Sequence, residues 1–147
     1  MVADGSLHYT PAMELGRLLR CRELSPVELT DAILDRVERL IPTLGAFITV
    51  TADLARAEAR AAEQRQLRGE LRGPLDGIPY SIKDMEDTAG IRTTYGSKWF
   101  AQHVPEADSL VAGRLRATGG CLLRGRPALE PAHASFEEFP QRADDRP

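Results

Sequence analysis

The chain has 147 residues, is 42% hydrophobic and 28% charged, and carries a net charge of −3. That length supports one domain with one core, able to bury roughly 68–70% of its unfolded surface, and the charge gives no general pull toward nucleic acid or an anionic membrane. No apolar run nears the roughly 20 residues of a membrane span, and Met1–Gly5 lacks the basic and apolar regions of a secretory leader, so a cytoplasmic protein is the expectation.

In chain order, residues 1–9 read as a loose lead-in. Thr10-Pro11 is a helix start, with a hydroxyl at the cap and proline at the first helical position; Met13, Leu15, Leu18 and Leu19 then line a short amphipathic helix that fades near Cys21. Ser25-Pro26-Val27-Glu28 is a stronger start: a capping box with proline at its favoured place. Its helix is predicted to run to about Leu40, with Leu29, Ile33, Val37 and Leu40 on one face and Pro42 ending it. Gly45–Val50 reads as a brief extended or buried segment. A third helix, rich in alanine, arginine and glutamate, spans about 52–68 and stops at Gly69. Arg65, Arg68 and Arg72 cluster at its end, where cations suit the helix dipole. Further on, Asp108 is expected to cap a helix over 109–118, with Leu110, Val111 and Leu115 inward. Gly119-Gly120 ends it, and Cys121-Leu122-Leu123 reads as a core strand. The two cysteines, Cys21 and Cys121, form no C-x-x-C and read as reduced, mostly buried thiols. His8, His103 and His133 share no ligand spacing, so neither a metal nor a cofactor is expected. No phosphate-binding glycine motif is present. Trp99-Phe100 reads as core.

The most informative run lies between these helices, from Gly73 to Lys98: GPLDGIPYSIKDMEDTAGIRTTYGSK. Ile78, Tyr80 and Ile82 alternate at strand spacing. Pro79 cannot donate to a ladder, which places it at the strand's start or on an edge. The strand ends on Lys83. A lysine there is either a solvated terminal charge or an amine held in an apolar pocket, where burial favours the neutral form and lets it act as a base. Asp84 opposes the second reading if its carboxylate faces the amine. Spacing does not choose between them, but the apolar alternation that ends on Lys83 carries the expectation that its amine is mostly shielded from water. Strand, crossover helix and strand together point to an α/β protein.

The segment Gly77-Ile78-Pro79-Tyr80-Ser81-Ile82-Lys83-Asp84, with Gly90-Ile91-Arg92-Thr93-Thr94-Tyr95-Gly96-Ser97-Lys98 after it, resembles the amidase signature family. These are serine hydrolases of amide carbon–nitrogen bonds, and they include the A subunits of tRNA-dependent amidotransferases. The resemblance implies a mixed sheet core wrapped by helices, a small-molecule amide substrate, no cofactor, and Lys83 as the base of a Ser–cis-Ser–Lys triad. The resemblance extends over roughly Thr10 to Gly125. Independently of the resemblance, Asp84 as the sequence neighbour and Ser97 through the returning loop are read as supporting groups near that lysine.

Past Gly125 the family pattern stops. Nothing in 126–147 resembles the family's Gly/Ser-rich loop, which supplies both serines and the oxyanion donors. The segment holds four of the ten prolines, a composition that suits an irregular or disordered tail. The expected organisation is therefore an N-terminal part of an amidase-signature domain over 1–125 and a tail over 126–147. Ser81 shares a strand face with Lys83, but no oxyanion loop accompanies it, so it is not read as the nucleophile. Three readings follow: an amide hydrolase by descent, here retaining only the lysine of its triad; an inactive remnant acting by association, including with itself through an exposed sheet surface; and an A-subunit-like component of an amidotransferase. A small stand-alone binding domain has no ligand signature behind it.

Overall fold

The computed structural model describes residues 7–124. Its elements are α1 (Ala12–Arg20), α2 (Pro26–Leu44), α3 (Ala52–Arg68), β1 (Pro79–Ile82), α4 (Leu110–Ala117) and β2 (Cys121–Arg124), with 3-10 turns at Leu7–Tyr9 and Lys98–Phe100. The expected tail, 126–147, and the first six residues of the expected lead-in lie outside the described residues. Leu7, expected in that lead-in, is buried in the α1 cluster.

Local chemistry sets the helix ends. The Ser25 hydroxyl accepts the N–H groups of Val27 (3.0 Å) and Glu28 (3.4 Å) at the start of α2, satisfying two donors that have no partner within the helix. The same hydroxyl donates to Glu63 of α3 at 2.5 Å, so the cap also ties two helices together. α2 does not stop at Pro42. It runs to Leu44 and ends on Gly45, whose left-handed φ of 55° lets its N–H reach the Ile41 carbonyl at 2.8 Å. Proline this close to a helix end forfeits one hydrogen bond of a turn that was about to finish. α1 begins one residue later than expected, with Pro11 in the cap position.

α3 buries Ala55, Ala59, Ala62 and Gln66, a stripe at helical spacing that brings its backbone close to α2 and the sheet. Gln66 donates to the Leu19 and Leu24 carbonyls, fastening the end of α3 to the α1–α2 junction. α2 buries Leu29, Thr30, Leu34 and Val37. The face is thus rotated from expectation: Leu34 is inside and Leu40 is exposed.

β1 and β2 pair in parallel, with Pro79, Tyr80, Ser81 and Ile82 opposite Cys121, Leu122, Leu123 and Arg124. Strand alternation splits the core. Leu122 and Ile82 pack with Ala112 of α4, while Leu123 packs with Leu34 and Ala55 of the helical layer. The turn into β2 is tight: a Cβ on Gly119, at φ 82°, would collide with an Asp76 carboxylate oxygen. That carboxylate is held by Arg65 (2.9 and 2.5 Å) and by the Arg72 N–H at 2.8 Å. Arg65 is therefore a mostly buried latch, and only part of the basic cluster is dipole decoration.

The outer edge of β2 is closed by side chains. Thr51 donates to the Leu122 carbonyl at 2.7 Å and accepts the Arg124 N–H at 3.3 Å, and Glu58 accepts the Leu122 N–H at 2.8 Å. Helices over a parallel sheet meet the α/β expectation. No described helix is long and apolar enough to cross a membrane.

Several expected faces differ. Leu110 is 70% exposed and Val111 also faces out, because α4 turns Ala112 and Leu115 to the sheet instead; Ser109, rather than Asp108, caps it by accepting the Ala112 N–H (3.2 Å). Asp108 accepts the Ala89 N–H at 2.8 Å and pairs with Arg116 at 3.4 Å instead. Trp99 is 95% exposed, and the aromatic contacts in its neighbourhood join Tyr95, Phe100 and His103. Cys21 is exposed; Cys121 is buried, and desolvation pushes its thiol up to about 11.

Candidate active site

β1 delivers the expected base. Tyr80, Ile82 and Asp84 face the α4 side, so Ser81 and Lys83 face the other way, and both are exposed. The expectation that Lys83 is shielded from water is not met. Apolar alternation at Tyr80 and Ile82 reports only what the opposite face buries, and no described element covers the lysine. Among the described residues its ammonium makes no hydrogen bond or ion pair.

Asp84 sits beside Lys83 in sequence, but its carboxylate is bonded elsewhere. It is 2% exposed. Its carboxylate accepts the Thr94 N–H at 3.0 Å, the Thr94 hydroxyl, and Arg124 Nη2 at 2.9 Å. Its main-chain carbonyl accepts the Tyr95 N–H at 3.0 Å. The residue thereby closes the loop that starts at its own position.

Arg124, which sequence reading left without a role, is the centre of this cluster. It ends β2 at 1% exposure. Nη1 donates to the Glu86 carbonyl (3.1 Å) and the Thr88 hydroxyl (2.8 Å). Nη2 donates to Asp84, to the Arg92 carbonyl (3.2 Å) and to the Thr93 hydroxyl (2.8 Å). The two threonines can accept because their own protons go to the Glu86 and Ile91 carbonyls at 3.3 and 3.2 Å. A guanidinium buried this deeply is tolerable only when charge and donors are matched. The clue in sequence was a second apolar run, Cys121-Leu122-Leu123, ending on a cation just as Ile82-Lys83 does.

Ser97 does not join Lys83. Its hydroxyl accepts the Trp99 N–H at 3.3 Å and caps the 3-10 turn. The loop is further fixed to α4: Ser109 donates to Glu86 at 2.7 Å, and the Tyr95 hydroxyl bonds Asp87. Tyr95 holds a left-handed φ of 52°, a strained setting that this surrounding network sustains. No group of His, Cys, Asp and Glu among the described residues is arranged to hold a metal ion.

Comparison with known proteins identifies the family. The family model Amidase matches residues 28–125, more than half of the chain. The A subunit of glutamyl-tRNA(Gln) amidotransferase from Methylococcus capsulatus is 45% identical over 117 residues, covering 80% of this chain and 24% of that protein. Its counterpart from Moorella thermoacetica is 43% identical with the same coverage. Among solved structures, a peptide amidase from Stenotrophomonas maltophilia superposes with a TM-score of 0.73 at 33% identity, covering 79% of this chain and 24% of that one. A fatty acid amide hydrolase shares the fold, with a TM-score of 0.78 at 21% identity over 85% of this chain and 22% of that one. The chain thus spans about a quarter of the length of the relatives it matches. The matched span carries β1, the Lys83–Asp84 corner, α4 and β2 together, and the chain belongs to the amidase family.

Proposed function

We propose that Lys83 is the base of an amide-cleaving site, and that this chain by itself supplies the lysine without the serines or oxyanion donors. In amide cleavage of this type a serine oxygen attacks the carbonyl carbon while its proton passes through a second serine to a lysine amine. The tetrahedral intermediate then collapses, the carbon–nitrogen bond breaks, and the lysine's proton returns by the same route to the leaving nitrogen. Water hydrolyses the resulting acyl-serine. Lysine can accept that proton only as the neutral amine, a form favoured by removal from water.

The observation that carries the reading is the setting of Lys83. It stands at the carboxyl end of a parallel strand, where α/β folds place their ligands. Among the described residues it has no partner, while its acidic neighbour is engaged elsewhere. An ammonium left open to water lacks the setting that favours the base form, so further protein surface has to complete the site.

Hydrolysis of simple aliphatic and aryl amides tests this, with Lys83→Ala as control. Neither protein is expected to exceed the buffer rate. Turnover by the intact chain that the variant lacks would reveal a nucleophile within it, with Ser81 and Ser97 the first to replace. A second reading, a component similar to the A chain of an amidotransferase, is supported by the 43–45% identity to such proteins. Co-purification with the other components of such an enzyme tests it; no retention contradicts it. The exposed Ser81–Lys83 face is the surface proposed for association in either case.

A further inference from the structure

We infer that Arg124 is the positioning residue for Lys83: its fork holds Asp84 and the following loop in one arrangement, and thereby keeps the lysine turned outward and unpaired. This rests on the reading of Lys83 as a base.

β1 has its last paired residue at Ile82, opposite Arg124. The two residues beyond it are Lys83 and Asp84, and alternation sends them to opposite faces. Alternation from the buried Ile82 turns the Asp84 position inward and Lys83 outward. The pairing partner decides whether a carboxylate can stay there. Arg124 lies on the Ile82 face, so the residue at the Asp84 position meets a buried guanidinium, and a carboxylate is the group that neutralises it.

Arg124 also reads the loop at four further points: the Glu86 and Arg92 carbonyls and the Thr88 and Thr93 hydroxyls. These acceptors are spread from Glu86 to Thr93, over a turn whose own ladder is one isolated bridge between Thr88 and Ile91. Planar donors at fixed angles can satisfy that set; a point charge with three rotating donors cannot reach it whole. Without the fork, the Asp84 carboxylate would remain buried on its Thr94 bonds alone, an expensive state for an ionised group. It would be driven toward water, where the adjacent Lys83 ammonium is the nearest cation in sequence. The arginine therefore acts on Lys83 at a distance, by holding its neighbour away.

The chain offers an internal control, because Lys83 and Lys98 are its two lysines and both are exposed. The experiment is Arg124→Lys in the full chain, with Arg124→Met as a companion. Two readouts are taken together: hydrogen exchange at the Thr94 and Tyr95 amides, which bond Asp84, and acylation of Lys83 relative to Lys98 by mass spectrometry. In Arg124→Lys, exchange at those amides is expected to rise roughly tenfold or more while α2 and α3 amides keep their protection. Lys83 labelling should fall at least about twofold relative to Lys98 as the freed carboxylate engages the amine. Protection and labelling ratio both unchanged in Arg124→Lys overturn the inference, because charge would then suffice and the fork would be irrelevant. A uniform rise across loop and helices alike also overturns it, since Arg124 would then support the fold generally. Should Arg124→Met fail to fold, Arg124→Lys decides alone. Neither readout needs catalysis: a hydrolysis assay indifferent to Lys83 would remove the base reading and leave this result standing.

Discussion

Two neighbouring parallel strands each end on a cation, and the two cations have opposite fates. Lys83 follows β1 and stands in water, without a partner among the described residues. Arg124 closes β2 at 1% exposure with five hydrogen bonds from its guanidinium. Both follow short, largely apolar runs. The difference is one residue of register: Arg124 pairs with Ile82 and shares its buried face, whereas Lys83 is one step further along and on the other side. Apolar neighbours in a strand thus say that one face is buried, and the parity of the position says which residues are on it.

The largest test of this contrast is removal of the buried cation. Arg124→Met should lower unfolding free energy by about 3–5 kcal/mol, because Asp84 is left as an uncompensated buried charge; chemical denaturation measures it. Replacing Asp84 and Arg124 together by apolar residues should cost less than the sum of the two single changes. Simple additivity would mean that the pair is not coupled.

Next in size is the turn that sets the register of β2. Gly119→Ala places a methyl against Asp76 and imposes an unfavourable φ of 82°, so a loss of about 2–3 kcal/mol is expected. Loss of protection at Leu122 and Arg124 ahead of α1 would locate the damage. A neutral outcome would show that the turn relaxes freely.

A smaller effect concerns the edge of β2. Glu58 is half-buried, and desolvation raises its carboxyl above the ordinary value against the opposing pull of the Leu122 N–H. A group raised in the folded state gives stability that is full below its unfolded value near 4.5 and is lost as pH rises through the folded one. Stability should therefore decline over that window by under about 1 kcal/mol, given solvent screening. Glu58→Gln should flatten the decline; an identical pH profile in the variant would assign it to another group.

The smallest effect is at the other cation. Lys83→Ala should leave the unfolding free energy within about 0.5 kcal/mol of the parent, as expected for an exposed side chain with no described partner. A loss as large as that of Arg124→Met would erase the contrast.

These effects follow how the sequence can be read. Helices α2 and α3 are legible because their signals are local: Ser25-Pro26 at one start, Gly69 at one stop, and an alanine-rich run between. The strand, expected at Ile78–Lys83 and found at Pro79–Ile82, and the segment that carries the family likeness are legible for the same reason. Facing directions are not. Leu34 in place of Leu40, and the outward Leu110 and Val111, depend on which neighbour each helix meets, and that is a tertiary property. Asp84 stands beside Lys83 in sequence, but its partner lies forty residues away, beyond any local pattern. Arg124 stands just inside the point where the family pattern stops, and nothing local in the sequence marks it as the last residue of the core.

Register sends Lys83 outward and Arg124 inward, and lysine footprinting of the unmodified native chain tests this most directly. Brief acylation under native conditions, read as the ratio of Lys83 to Lys98 labelling, should give rates within about twofold of each other, as for two solvated ammonium groups. Protection of Lys83 by roughly tenfold or more relative to Lys98, relieved on denaturation, would contradict the account, because it would mean that the lysine is buried.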